Sequence, residues 1–311
     1  MTDGTDVTAN GPPAALYADI RGSSDEAVVL LHGQPGSSAE WESVAGLLED
    51  RFLVITPDRP GYGRSDGPAT GFAGNTAALI TLLDRLGVPR ALIVGHSWAG
   101  GAAIWAAAKH PGRVSGLVLV SSVGPGERLT WNDRLLAAPV AGEAVAAAAD
   151  VALGLLAGSS RVRSFADRHL PGRARDAYSY IAGLNGAKSR PIHSFLLEQR
   201  HFLRDLGDLE PLVAAINTVT VVLHGTADKT VEADVAVRLA AGIRKAELVW
   251  VPGAGHLLPQ QHPSDVATAI RAVADRAAAD RAAPRRRFGL DGQVPADCES
   301  GAEHPDQTAD H

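Results

Sequence analysis

The chain is poor in several things, and each shortage excludes something. Its 311 residues include one cysteine, Cys298, so neither an intrachain disulfide nor a thiolate metal cluster can be built. Aromatic residues make up 5% of the chain, which leaves the core to Ala, Val, Leu and Gly. Lysine is confined to Lys109, Lys188, Lys229 and Lys245, and acids outnumber Lys and Arg by 35 to 29. A net charge of −6 offers no basic field to nucleic acid or anionic lipid, so neither is an expected partner. A membrane span needs about 20 nearly uncharged residues, and the one long apolar stretch, Leu135 to Ala157, is broken by Pro139, Glu143 and Asp150. Asp3 and Asp6 stand where a signal peptide carries positive charge, and no apolar run follows within the first 25 residues. The expected compartment is the cytoplasm. What is present is an ordinary globular composition, 45% hydrophobic and 21% charged, sufficient for a sizeable core.

Short apolar runs alternate with helical patterns. Ala27 to Leu31, Phe52 to Thr56, Ala91 to Val94, Val114 to Val120, Thr218 to Leu223 and Glu247 to Val251 are strand-length runs, apolar on both faces. Helical text lies between them at Ser38 to Glu49, Gly71 to Leu86, Trp98 to Lys109 and Val231 to Ala241, with a last helix from Pro263 to about Asp280. Doubly apolar strands separated by helices indicate an α/β protein with a mostly parallel sheet and right-handed crossovers. From Glu127 to Glu210 the text is helical or irregular only. The economical layout is a core of residues 1–126 and 211–280 interrupted by a helical insertion at 127–210. Residues 281–311 hold Arg285, Arg286 and Arg287, then six acids and few apolar residues, and are expected to be a disordered tail.

Three strand ends carry the chemistry. Gly95, His96, Ser97, Trp98, Ala99 and Gly100 form a G-x-S-x-A-G elbow between a predicted strand and a predicted helix, the context this nucleophile motif requires. Serine is a weak nucleophile without a base. His256, in the loop Gly253 to His256 after the last strand, is the candidate. Asp228, after the Thr218 strand, is the candidate acid that orients it. Alone, each of these two has an ordinary reading, a surface histidine and a helix-cap aspartate; the order Ser, Asp, His, each after a strand, is more specific. Two backbone N–H groups are expected to form the oxyanion hole: that of Trp98, and that of Gln34 in the loop His32 to Gly36, because Pro35 has none to give. His32 is read as structural, bracing that loop against the Pro57 to Gly63 turn.

These residues resemble the α/β-hydrolase superfamily, in the branch with an HG-x-P oxyanion loop and an inserted helical cap. The resemblance covers about Leu16 to Asp280 and includes the DRPGYGRSD segment at Asp58 to Asp66. It implies an eight-stranded, mostly parallel sheet with its first antiparallel strands within Pro12 to Ile20, a Ser-His-Asp triad, and neither cofactor nor metal. Ser97 stands where haloalkane dehalogenases and epoxide hydrolases of this branch carry Asp. HGQPG departs from the HGGPG of iminopeptidases, and Gln34 departs from the small residue usual in carbon–carbon bond hydrolases.

The insertion concentrates aromatic and histidine side chains, among them Trp131, Phe165, Tyr178, Tyr180, Phe195 and Phe202. Most are expected to pack the cap onto the core, with Trp131, Tyr178 and Phe195 named as substrate contacts. The expected function is a serine hydrolase acting on an ester-type bond of a small organic molecule. A carbon–carbon bond hydrolase or lactonase, a perhydrolase or lyase, and a ligand receptor on the same fold are the alternatives.

Overall fold

A computed structural model describes residues 15–129, 131–139, 144 and 191–282. Seven strands form one sheet: β1 (Ala18–Arg21), β2 (Ala27–Leu31), β3 (Leu53–Pro57), β4 (Ala91–His96), β5 (Val114–Val120), β6 (Thr220–Gly225) and β7 (Ala246–Val251). Their spatial order is β1-β3-β2-β4-β5-β6-β7. β1 runs antiparallel to β3, and every other pairing is parallel. The resemblance implied eight strands; the described residues form seven, and β1 is the one antiparallel strand at their N-terminal end.

Alternation along each strand divides the core in two. Val29, Leu31, Ile93, Leu117 and Leu119 face one side, where they pack with α2 (Phe72–Arg85), α3 (Ala99–Lys109) and α7 (Ala233–Gly242). Val28, Leu30, Val94, Val118 and Val120 face the other, against α1 (Glu42–Gly46) and the long α8 (Pro263–Ala282). Both faces are covered, as a parallel sheet requires. The small side chains of α3, AGGAAIWAAAK, let that helix lie close to the sheet in a chain short of aromatics.

Two expected elements take a different form. The helical text at Ser38 to Glu49 is a 3₁₀ turn, Ser38–Trp41, followed by the five-residue α1. Tertiary contacts hold that first turn: the Ser38 N–H donates to Asp58 Oδ1 at 2.7 Å, and Glu40 and Trp41 are buried. In the expected insertion, α4 (Trp131–Ala137) and α5 (Pro191–Asp205) are described, and α6 (Leu209–Ala215) leads back to β6. Most of the rest of 127–210, Tyr178 included, and residues 283–311 of the expected tail lie outside the described residues. Among the described residues no helix is long and apolar enough to cross a membrane.

The chain places β3 and β1 on one side of β2 and sends β4 to the other. Loops leaving adjacent strands at such a switch point diverge and open a crevice at their C-terminal ends. The loops after β2 and β4 leave from this point, with those after β6 and β7 further along the same edge.

Leu30 lies at the centre of the sheet with no exposure. Leu30→Ala is expected to cost about 2–5 kcal/mol of unfolding free energy, read from urea denaturation.

Candidate active site

Ser97 follows β4 directly and precedes α3, and its φ is 54°. Left-handed backbone costs a non-glycine residue roughly 1–2 kcal/mol, so the surroundings must hold it there. The Ser97 N–H donates to Val120 O at 2.9 Å, while Ser97 O accepts from Gly100 N at 3.0 Å and Val123 N at 3.2 Å. The turn is also sterically closed. A Cβ on Gly95 would lie 2.7 Å from Ala99 O, and one on Gly100 would lie 1.8 Å from Ser122 Oγ. The small residues of the motif are therefore required by contact.

The structure brings the three strand-end residues together. His256 Nε2 is 2.9 Å from Ser97 Oγ, and His256 Nδ1 is 2.9 Å from Asp228 Oδ2. The Asp228 side chain is fully buried, and its Oδ1 accepts from the N–H of Thr230 at 2.8 Å and of Val231 at 3.1 Å. Burial works to raise the Asp228 pKa; the hydrogen bond and charge of His256 and those two N–H groups outweigh it and hold the carboxyl below its ordinary value. An ionised Asp228 assigns the His256 proton to Nδ1 and leaves Nε2 to accept from Ser97.

A second acid–histidine pair, which the sequence reading passed over, lies behind the first. His96 Nδ1 is 2.7 Å from Glu40 Oε1, and His96 Nε2 is 3.1 Å from the backbone carbonyl of His256. Both ring nitrogens face oxygen acceptors, so the ring is fully satisfied only as imidazolium. Burial opposes the charge, but Glu40, the His256 carbonyl and Asp228 together raise the His96 pKa. Glu40 also accepts from the Gly33 N–H, at 3.3 Å to each oxygen. The pair thus ties the loop after β2 to the loop that carries His256. A carboxylate beside Trp41 on an otherwise apolar stripe was its only trace in the sequence.

Gln34 and Trp98, the expected oxyanion donors, line one cavity with Ser97 and His256. The Gln34 side chain is engaged elsewhere: its Nε2 donates to Gln199 Oε1 on α5 at 3.0 Å. His32 is buried and structural. Its Nε2 accepts from the Arg59 N–H at 2.9 Å, and its Nδ1 lies 2.9 Å from Gly33 O. Burial, then the Arg59 charge, lowers its pKa well below the ordinary value, and the neutral ring suits this donor–acceptor pattern.

Residues 26–263 match the family profile described as alpha/beta hydrolase fold. The chain belongs to this family. It is 31% identical over 279 residues to a non-heme chloroperoxidase of Streptomyces lividans, covering 84% of this chain and 95% of that protein. An uncharacterised protein of Mycobacterium tuberculosis is 34% identical over 145 residues, 43% of this chain. This hydrolase-fold chain spans only 42% of that relative's length. A solved esterase from Thermogutta terrifontis, with malate bound, superposes with a TM-score of 0.67 at 24% identity, over 84% of this chain and 93% of that one. That likeness is one of fold.

The cavity of this α/β hydrolase has a volume of about 420 Å³ and is walled from the insertion by Phe195, Gln199 and Phe202. Of the three aromatic contacts expected from sequence, Phe195 is there. Trp131 is not: it sits on α4 with 72% of its surface exposed. Helical text alone does not say which face of a short helix turns inward. Tyr178 is outside the described residues. Glu127, Asp133 and Arg128 also line the cavity, and Arg128 pairs with Glu232 at 3.3 Å. Burial, then the charges of Glu232, Asp133 and Asp228, push the Glu127 carboxyl up to about 7. Among the described residues no cluster of His, Cys, Asp and Glu is arranged to hold a metal.

His96 allows a test with a definite sign. Its folded-state pKa is raised above the ordinary 6.5, so its contribution to stability is fully present below that pH and is lost as pH rises through the folded value. Glu40→Gln removes the main cause of the shift. The stability gap between wild type and Glu40→Gln, from urea unfolding between about pH 5.5 and 9.5, is expected to be widest below 6.5 and to narrow above it. A gap that stays flat would mean a neutral imidazole.

Proposed function

We propose that the protein is a serine hydrolase that cleaves an ester-type bond of a small organic molecule through an acyl-enzyme. The observation that carries this reading is the hydrogen-bonded chain from Ser97 Oγ through His256 to Asp228, 2.9 Å at each step. It lies at the wall of a cavity of about 420 Å³. Ser97 Oγ attacks the carbonyl carbon as His256 Nε2 takes its proton. The N–H groups of Gln34 and Trp98 hold the developing oxyanion, each donor being worth roughly 2.7–4 kcal/mol in the transition state. Collapse expels the alcohol, which leaves with the proton from His256. Water then repeats the sequence on the acyl-Ser97 ester and releases the acid. Asp228 keeps the imidazole in the required tautomer and stabilises the imidazolium that forms twice per turnover.

The cavity wall supports an uncharged substrate. Glu127 and Asp133 contribute carboxyl groups, and the cation beside them, Arg128, is paired with Glu232. Because the Glu127 carboxyl is held up to about 7, a substrate bearing carboxylates would meet the full like charge there only above that pH, where acidic carbon–carbon bond substrates are disfavoured. The likeness to a non-heme chloroperoxidase favours one further reading of the same site. Hydrogen peroxide in place of water would attack acyl-Ser97 and release a peracid, with Ser97 regenerated.

Ser97→Ala is expected to lower turnover of a p-nitrophenyl ester by about 10⁴-fold or more while leaving the thermal transition in place. His256→Ala, exposed to the same ester, is expected to retain an acyl group on Ser97 in peptide mass spectrometry. Full activity in Ser97→Ala, or an adduct on another residue, would sink the assignment. Peroxide-dependent peracid formation from the wild type would select the second reading.

A further inference from the structure

The peptide unit between Gly33 and Gln34 has two ends with different duties. Its N–H belongs to Gln34, the proposed oxyanion donor. Its C=O belongs to Gly33 and points into the protein, where it accepts from Arg59 Nη2 at 2.8 Å and from His32 Nδ1 at 2.9 Å. The preceding carbonyl, that of His32, accepts from Arg59 Nε at 2.8 Å. One guanidinium therefore grips two consecutive carbonyls of the oxyanion loop. Turning the Gln34 N–H away from the cavity would break both bonds to Gly33 O. A cationic donor on the carbonyl also polarises the amide and strengthens its N–H as a donor.

Arg59 cannot do this alone, because its side chain is only 1% exposed. An uncompensated buried cation costs several kcal/mol, and its counter-charge comes from far along the chain. Glu198, on α5 and completely buried, accepts from Arg59 Nη1 and from Nη2 at 3.2 Å. Tyr62 Oη donates to the same carboxylate at 2.7 Å. The guanidinium lies 4.6 Å from the centre of the Trp98 ring, the residue of the other proposed donor. Two more bonds join α5 to this region: Gln34 Nε2 to Gln199 Oε1 at 3.0 Å, and Ser194 Oγ to Gly61 O.

We propose that Glu198 is a positioning residue for the oxyanion hole: through Arg59 it orients the Gly33–Gln34 peptide, so this donor is delivered in full only when the inserted helix α5 is docked. The proposal rests on the ester-hydrolase reading for its catalytic consequence, but its structural content stands apart from it. Glu198 touches neither the substrate cavity nor Ser97; its influence passes through Arg59.

Glu198→Gln keeps the shape and removes the charge. With p-nitrophenyl butyrate as the probe, kcat is expected to fall by about tenfold to a hundredfold with KM within about twofold, less than the loss of a whole donor. Glu198→Asp is expected to recover part of kcat. Hydrogen exchange of the backbone spanning residues 32–36 is expected to quicken in Glu198→Gln, with exchange in β4 unchanged. Should Glu198→Gln fail to fold, Tyr62→Phe removes a single bond to the same carboxylate and is expected to show a smaller loss of the same kind. Unchanged kcat, a loss confined to KM, or unchanged exchange at 32–36 would overturn the proposal. If the wild type does not turn over the ester at all, the ester reading fails, and the exchange measurement still decides whether Glu198 orders the loop.

Discussion

A serine held at a φ of 54° is the constraint around which the rest of the molecule is arranged. Left-handed backbone at a residue with a Cβ is unfavourable and persists only when its neighbours determine it several times over. Here the neighbours are the end of β5, which accepts the Ser97 N–H, and the first turn of α3, which closes under it. The closeness of that turn excludes side chains at Gly95 and Gly100, and it requires β4 and α3 to meet tightly. The strain raises Ser97 Oγ into the cavity, where His256 reaches it.

Around the elbow, three carboxylates face three basic groups: Asp228 and His256, Glu40 and His96, Glu198 and Arg59. Each pair joins segments that are distant in sequence, so the loops after β2, β4, β6 and β7 are not free to drift independently. Buried pairs of this kind add little net stability once desolvation is counted, but breaking one leaves a stranded charge. Their contribution is to geometry. The Glu40 pair holds the backbone of His256 from behind, and the Glu198 pair holds the loop of Gln34 from the side of the inserted helix.

Much of the frame was legible in the chain itself. Five of the seven strands, β2 to β6, are almost wholly buried and correspond to largely apolar runs, since a strand covered on both faces leaves little room for charge. β7, at the sheet edge, is partly exposed and carries Glu247 within its run. β1 is partly exposed and carries Asp19 and Arg21, so it has no such run. Ser97 was legible because a strained elbow demands small residues at fixed spacing. Glu40, His96, Arg59 and Glu198 were not, because partners separated by 56 and 139 positions leave no local pattern. Trp131 shows the converse: an aromatic residue in the right segment turned to solvent.

The sequence by itself determined the α/β alternation, the strand ends that carry Ser97, Asp228 and His256, and the loop that carries Gln34, because these depend on local hydrophobic period and turn chemistry. Only the tertiary structure decided which carbonyl Arg59 grips, that His96 is doubly engaged, and which side chains of the insertion wall the cavity. Those outcomes depend on distances between segments that meet only after folding, and at such contacts a shift of about 1 Å separates a hydrogen bond from none.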